Sequence, residues 1–331
     1  MGRTIVEKIL GTKSNCDARA GDIVDIHIDA RVARDFGGAN VVKHIQSTGL
    51  RVHDPARTYF TFDCNPTGSD QKYATNQQTC RMFARDHGIR VFDIDQGIGT
   101  HLAMDRGLIG PGDTFVSTDS HANILGAICA FGQGMGDQDI AHAFAHGTVW
   151  FRVPPSVRIE LRGTPAPDAT PKDITLALLR RFGANGLLGV AAEMYGTYID
   201  NLDLPGRITM ASMFTEMGAI IGLFPVTDTI AQQLSTISKR PFTIMHADPD
   251  AEYVERYVVD IEGIGPMISR PGHPEDVVPV TEVEGIPIDS ALVGSCTNGR
   301  IDDIRAAARV LSGRHVAESV VFKIVPSTDA V

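Results

Sequence analysis

Residues 290–311 read SALVGSCTNGRIDDIRAAARVL. Ser290–Gly294 is a short apolar run with the length of a strand, Ser295–Arg300 is a polar loop, and Ile301–Leu311 spaces its apolar residues as a helix does. A strand that reaches a helix through a polar loop is half of a strand–helix–strand unit, and such units build parallel sheets covered by helices.

The same pattern recurs toward the N-terminus. Thr114–Thr118 (TFVST) leads through Asp119-Ser-His121 into an expected helix over Asn123–Phe131. Thr58–Phe62 (TYFTF) leads through Asp63-Cys-Asn-Pro-Thr-Gly68 into a helix that Ser69 can cap, running to about Asp86 and closed by Gly88. Ile89–Ile94 precedes the loop DQGIGTH and a helix near Leu102. Thr4-Ile-Val-Glu7 reads as a capping box opening a helix to about Leu10. After Pro155 the order restarts, with a strand at Val157–Leu161 and helices at Lys172–Phe182 and Gly206–Gly218. Ile268–Val280 is rich in proline and reads as a linker. The expected fold class is therefore α/β with mostly parallel sheets, partitioned into residues 1–154, 155–265 and 266–331, the last being the start of a third domain.

The chain has 331 residues, 43% of them hydrophobic, enough for a sizeable core. Lys and Arg number 30 against 40 Asp and Glu, a net charge of −10, which disfavours nucleic acid or an anionic membrane as the main partner. The longest apolar run, Ala219–Val226, is far too short to cross a bilayer and contains Pro225. The opening residues show no signal-peptide pattern, and Val6 stands where a myristoylation motif needs Ser or Thr. Five scattered cysteines make no disulfide framework, so a reducing cytoplasm is expected.

In open α/β sheets ligands bind beyond the carboxyl ends of the strands. Four of the expected strands end in polar groups: Asp63-Cys64, His101 after its loop, Asp119-Ser120-His121, and Ser295-Cys296-Thr297-Asn298. Turn formation explains the Asp, Ser and Asn residues, but His121 and Cys296 are poor turn formers. Other motifs carry less. Asp119-Ser120-His121 lacks a nucleophile elbow, and Gly132-Gln-Gly134-Met-Gly136 has the wrong spacing for a dinucleotide loop. His142 and His146 are four apart, yet Ala143 stands where a zinc protease needs its glutamate, so a helix face is the better reading. Ser212 and Glu216 share a face of their helix, turned to solvent or to a site.

Taken together, DSHANILGAICAFGQGMG, RITMASMFTEMGA and LVGSCTNGRIDDIRAAA resemble the aconitase family, above all its isopropylmalate isomerase large-subunit branch with homoaconitase and dimethylmalate dehydratase relatives. The resemblance implies three-layer α/β/α domains and a hydro-lyase that dehydrates and rehydrates a small hydroxy di- or tricarboxylic acid, 3-isopropylmalate foremost. It implies a 4Fe-4S cluster held by three thiolates, and a small swivelling subunit as partner. Cys296 matches the first cluster ligand, Asp119 and His121 residues that handle the hydroxyl or water, and Ser120 a substrate-carboxylate contact. His101 matches a second active-site histidine, Glu216 a carboxylate near the water, and Asp63 the aspartate that supports a neighbouring histidine. Arg34, Ser212 and Asn298 fall at substrate-binding positions.

Several positions depart from the family pattern. Cys64 replaces that neighbouring histidine, Ser212 an asparagine, and Arg34 a Gln or His. The family's C-x-x-C, which carries the other two ligands, would follow Val331, so the expectation is a partial third domain whose single thiolate cannot hold a cubane. The competing reading is a cluster-free relative acting as a binding or assembly module. An RNA-binding homologue is disfavoured by the negative charge.

Overall fold

The computed structural model describes residues 2–67, 70–238 and 240–331. Its elements run α1 (Ile5–Ser14), β1 (Ile23–His27), β2 (Ala30–Arg34), α2 (Gly38–Thr48), β3 (Thr58–Thr61), α3 (Gln71–His87), β4 (Arg90–Phe92), α4 (Gly99–Asp105), β5 (Thr114–Ser117), β6 (Phe131–Gly134), α5 (Asp137–His146) and β7 (Thr148–Arg152). They continue with β8 (Ser156–Arg162), α6 (Pro171–Phe182), β9 (Ala191–Tyr195), α7 (Thr197–Asn201), α8 (Leu204–Met213), β10 (Ile221–Leu223), α9 (Asp228–Ile237) and β11 (Glu255–Asp260). The last are β12 (Met267–Ser269), β13 (Val277–Pro279), β14 (Ser290–Gly294), α10 (Ile301–Leu311) and β15 (Val321–Val325).

Three parallel sheets dominate. The first has the order β4-β3-β2-β5-β6, the second β10-β9-β8-β11, and the third pairs β14 with β15. In the first sheet the chain adds strands one way from β2 to β4 and the other way from β5 to β6, so the topological switch point lies between β2 and β5. All four residues of both β3 and β5 are buried, as strands covered on both faces require. The α/β class with mostly parallel sheets is as expected.

Local chemistry explains most element ends. Glu7 accepts from Thr4 N at 2.9 Å, closing the capping box of α1. Gly88 ends α3 in the left-handed region with φ 70°. Ser69 lies outside the described residues, and the observed cap of α3 is Asp70, which accepts from Tyr73 N at 3.1 Å. His142 and His146 both face solvent on α5, consistent with an exposed helix face.

Three expectations need correction, and one strand went unannounced. The helix expected over Asn123–Phe131 is a 3-10 turn, Ala122–Ile128, and Phe131 opens β6. The glycines of Gly132-Gln-Gly134 therefore lie within a strand rather than after a helix. The helix expected over Gly206–Gly218 ends at Met213 and tightens into a 3-10 turn at Phe214–Met217. Ile268–Val280 is largely a two-stranded antiparallel hairpin, β12 with β13, packed on α6. Finally, β2 carries no sequence signal: Arg31, fully buried at its second position, disguises a central strand as a polar segment. Among the described residues no helix is long and apolar enough to cross a membrane.

Candidate active site at the switch point

Arg34 ends β2 and Asp119 follows β5, so the two flank the switch point where open α/β sheets take ligands. The Arg34 guanidinium lies 2.6 Å from Asp63 Oδ1 through Nε and 3.0 Å from Asp119 Oδ1 through Nη1. These carboxylates hold the guanidinium charged, above its already high ordinary range and against the cost of burial. Burial pushes the Asp63 carboxyl up, while Arg34 and the Gly99 amide, donating at 2.8 Å, draw it down.

Cys64 sits beside this pair, its Sγ 3.7 Å from Asp63 Oδ1 and its amide donating to Asp35 Oδ1 at 3.0 Å. Burial raises its thiol above the usual range, so it is a neutral, weak donor. Asp35, Asp63 and Cys64 bring ligand atoms within 4.8 Å of one another. Arg34 already neutralises Asp63, and Asp35 is taken by Cys64 N, Asn65 N and Gln77 Nε2, which leaves little for a cation.

His101 lies in the first turn of α4 and is fully buried. Its Nε2 donates to the Cys296 carbonyl at 3.0 Å, and burial lowers its pKa to about 4. The ring is therefore neutral, and the carbonyl contact sets the tautomer. This bond joins the first sheet to the loop after β14. There Gly294 adopts φ 140°, with room for no Cβ against Val325 O, and Ser295 adopts φ 127°, a conformation strained for a residue with a side chain. Arg300 pins the same loop through two bonds to Asp105, at 2.9 and 2.8 Å.

His121 is the centre of the constellation. Its Nε2 lies 3.4 Å from Glu216 Oε1, and its Nδ1 lies 3.2 Å from the exposed Ser120 hydroxyl. Its pKa rises to about 9, chiefly through the Cys296 thiol beside it, with Asp119 and Glu216 adding to the effect against burial. Asp119 Oδ1 also accepts from His121 N at 3.1 Å, which fixes the bend of the loop.

The remaining expected residues divide. Glu216 reaches the site because the change to a 3-10 turn brings it out of the helix. Ser212 stays fully buried on α8, which removes the solvent-facing alternative. Asn298 turns away from His121, and its amide donates to Thr209 Oγ1 and, at 3.4 Å, to Pro205 O at the start of α8. Buried atoms without a hydrogen-bond partner include His101 Nδ1, Asp119 Oδ2, Ser212 Oγ and Asn298 Oδ1. Such groups are costly unless something else satisfies them.

Sequence reasoning missed three supports: Asp35 under the Cys64 loop, the Arg300–Asp105 clamp, and Lys172 at the cleft mouth. Gly-Arg after SCTN was a local signal for the clamp; the other two had none.

Cys296 is half-buried, with its carbonyl fixed and an imidazole at its sulfur, and suits a thiolate ligand. Among the described residues the only gathered set of metal-type ligands excludes it. Cys80 and Cys129 are buried elsewhere in the core and Cys16 is exposed beside Ser14. These residues do not by themselves complete the ligand set of a 4Fe-4S cluster.

The sequence matches the aconitase family (aconitate hydratase) over residues 7–285 and 281–331. It is 36% identical over 333 residues to 3-isopropylmalate dehydratase large subunit 1 of Methanopyrus kandleri, covering 99% of this chain and 79% of that one. It is 35% identical over 335 residues to the 3-isopropylmalate dehydratase large subunit of Moorella thermoacetica, covering 100% and 80%. In structure it is similar to aconitase X of Thermococcus kodakaraensis, with a TM-score of 0.52 at 13% identity over 98% of this chain and 77% of that one.

Proposed function

Because the chain belongs to the aconitase family, we propose that it is the large subunit of a hydro-lyase of the 3-isopropylmalate dehydratase kind, acting on a small hydroxy dicarboxylic acid. One observation carries the assignment of its site: His121 is clasped between Glu216 and the Cys296 loop at the switch point of the first sheet.

The chain's own chemistry follows from that geometry. Loss of water from a hydroxy acid needs a proton delivered to the leaving hydroxide, and the His121 imidazole beside Glu216 is placed to hold it at Nε2. Asp119, with Oδ2 free, is an acceptor beside the same position. Arg34 offers a permanent cation, and Ser120 an exposed hydroxyl, to a substrate carboxylate. His101 is a positioning residue, since its neutral ring donates to the Cys296 carbonyl and so sets that loop.

A 4Fe-4S cluster and a small swivelling subunit belong to this reading. The described residues supply one thiolate, Cys296, and the partner completes the cleft. The names of the relatives, large subunits, support a two-subunit enzyme.

The test is turnover of 3-isopropylmalate by the reconstituted two-subunit enzyme, followed by the ultraviolet absorbance of the unsaturated acid. His121→Ala should lower turnover by roughly a hundredfold or more, the scale of a positioned acid, with an unchanged circular dichroism spectrum. Unchanged turnover would demote the Asp119-Ser-His121 loop to a structural turn. Absence of turnover on every hydroxy dicarboxylate tried would favour the binding-module alternative.

A further inference from the structure

Lys172 is the second residue of α6, after Pro171 and the Thr170 cap. The first turn of a helix carries partial positive charge and favours acids over cations. Asp173 obeys this rule: it accepts from Thr170 N at 2.7 Å and from Met267 N at 2.7 Å. Lys172 departs from it: its side chain is exposed to water, and among the described residues no hydrogen bond or ion pair holds its ammonium. An exposed cation without a protein partner is free to meet a ligand, so its position decides what it can do.

Its position supplies the role. Lys172 lines a cleft of about 420 Å³ together with Ser295, Thr297, Asn298 and Asp303. It also lines a second cleft, of about 430 Å³, together with Glu216, Met213 and Leu176. Lys172 thus stands on a wall common to both, between Glu216 and the loop that carries Cys296. Across the site, Arg34 contacts Asp119 at 3.0 Å, Asp119 accepts from His121 N at 3.1 Å, and His121 meets Glu216 at 3.4 Å. These contacts link Arg34 to Glu216, and Lys172 shares the second cleft with Glu216.

We propose that Lys172 is the second carboxylate-binding cation of the site, taking the substrate carboxylate that Arg34 does not. The inference rests on the hydro-lyase reading and deepens it: two separated cations select a dicarboxylate over a monocarboxylate. Glu216 does not claim the ammonium, since it is engaged with His121 and no Lys172–Glu216 contact falls within ion-pair distance.

The experiment measures binding by titration calorimetry on the reconstituted two-subunit enzyme, with malate as the dicarboxylate probe and lactate as its monocarboxylate counterpart. Lys172→Met should weaken malate by roughly tenfold, the loss of one charge-assisted contact, and leave lactate within about twofold. Lys172→Arg should recover most of the malate affinity. In turnover, Lys172→Met should raise KM with kcat changed little. Equal weakening of both probes, or no weakening of either, overturns the role of Lys172 while the hydro-lyase reading stands. A wild-type enzyme without preference for malate over lactate overturns both.

Discussion

Arg34 places one permanent cation between two nearly inaccessible carboxylates, with 2% of the Asp63 side chain and 3% of Asp119 exposed. Arg34→Gln leaves two negative groups facing each other in a dry site, and should cost about 3 kcal/mol of unfolding free energy in urea titrations. Without the guanidinium, burial and mutual repulsion raise the folded-state carboxyl pKa above the unfolded value of about 4. Stability tied to such a group is present below the unfolded pKa and lost as pH rises through the folded one, so the deficit should shrink in acid and be full at neutral pH. Arg34→Lys keeps the charge but loses the fork, and should fall between wild type and Gln. Ser212 behaves oppositely. Its buried hydroxyl has no partner, so Ser212→Ala should leave the free protein equally or up to about 1 kcal/mol more stable. The same change should raise KM if the hydroxyl contacts substrate. Thiol chemistry offers an independent check. Burial pushes Cys80 and Cys129 up to about 12, whereas Cys16 is exposed. Iodoacetamide at pH about 8, read by mass spectrometry, should modify Cys16 and spare Cys80 and Cys129 until the protein unfolds.

At the scale of elements, β6 acts as a template for the loop that carries Asp119 and His121. A Cβ on Gly134 would lie 2.5 Å from Asp119 O, and one on Gly132 would lie 2.1 Å from Ala122 O. Both neighbours are backbone and cannot swing aside, so these glycines are there for close approach rather than for an unusual φ. Gly134→Ala should displace the Asp119–His121 loop, at a cost of about 1–3 kcal/mol typical of overpacking. The loss of turnover should exceed what the remaining folded fraction explains, because a displacement near 1 Å at a catalytic group is costly. Thermal melting and kinetics on the same sample test this. The 3-10 turns before Cys129 and around Glu216 follow the same logic. Each is a tightened segment that neither periodicity nor capping announces, and the second carries Glu216 to His121.

At the scale of the molecule, the third sheet is the least buried part of the site. No residue of α10 is buried, and the sheet docks on the rest through few contacts. These include the Arg300–Asp105 clamp, Thr328 Oγ1 to Asp105 Oδ2 at 2.8 Å, Arg106 to Asp329 at 2.6 Å, Ile98 N to Ser327 O at 2.8 Å, Asp329 N to Gln96 O at 2.9 Å, Asn298 to Thr209 and Pro205, and His101 to Cys296 O. Regions with little buried apolar area open most easily. Hydrogen exchange should therefore find residues 286–331 much less protected than the first two sheets. Arg300→Ala should speed exchange in residues 294–300 and 321–329 while leaving β2, β3 and β5 unchanged. Equal protection throughout would show that docking is stronger than these contacts suggest.

The sequence by itself determined the α/β class, the capping box of α1, the closing Gly88 of α3, and the strand–loop–helix unit at 290–311, because each depends on a few neighbouring residues and their local hydrogen bonds. It also named the polar loops at the strand ends, since His121 and Cys296 are unlikely turn formers wherever they fold. Tertiary structure decided the rest. β2 is a central strand although Arg31 and Arg34 make it look polar, because its neighbours bury Arg31 and neutralise Arg34. Ser212 and Glu216, four apart, part company when the helix tightens at Phe214. Asn298 turns to α8 rather than to His121. Which side chains meet at the switch point depends on strand order, and strand order is set by contacts far apart in the chain, where local propensity carries no information.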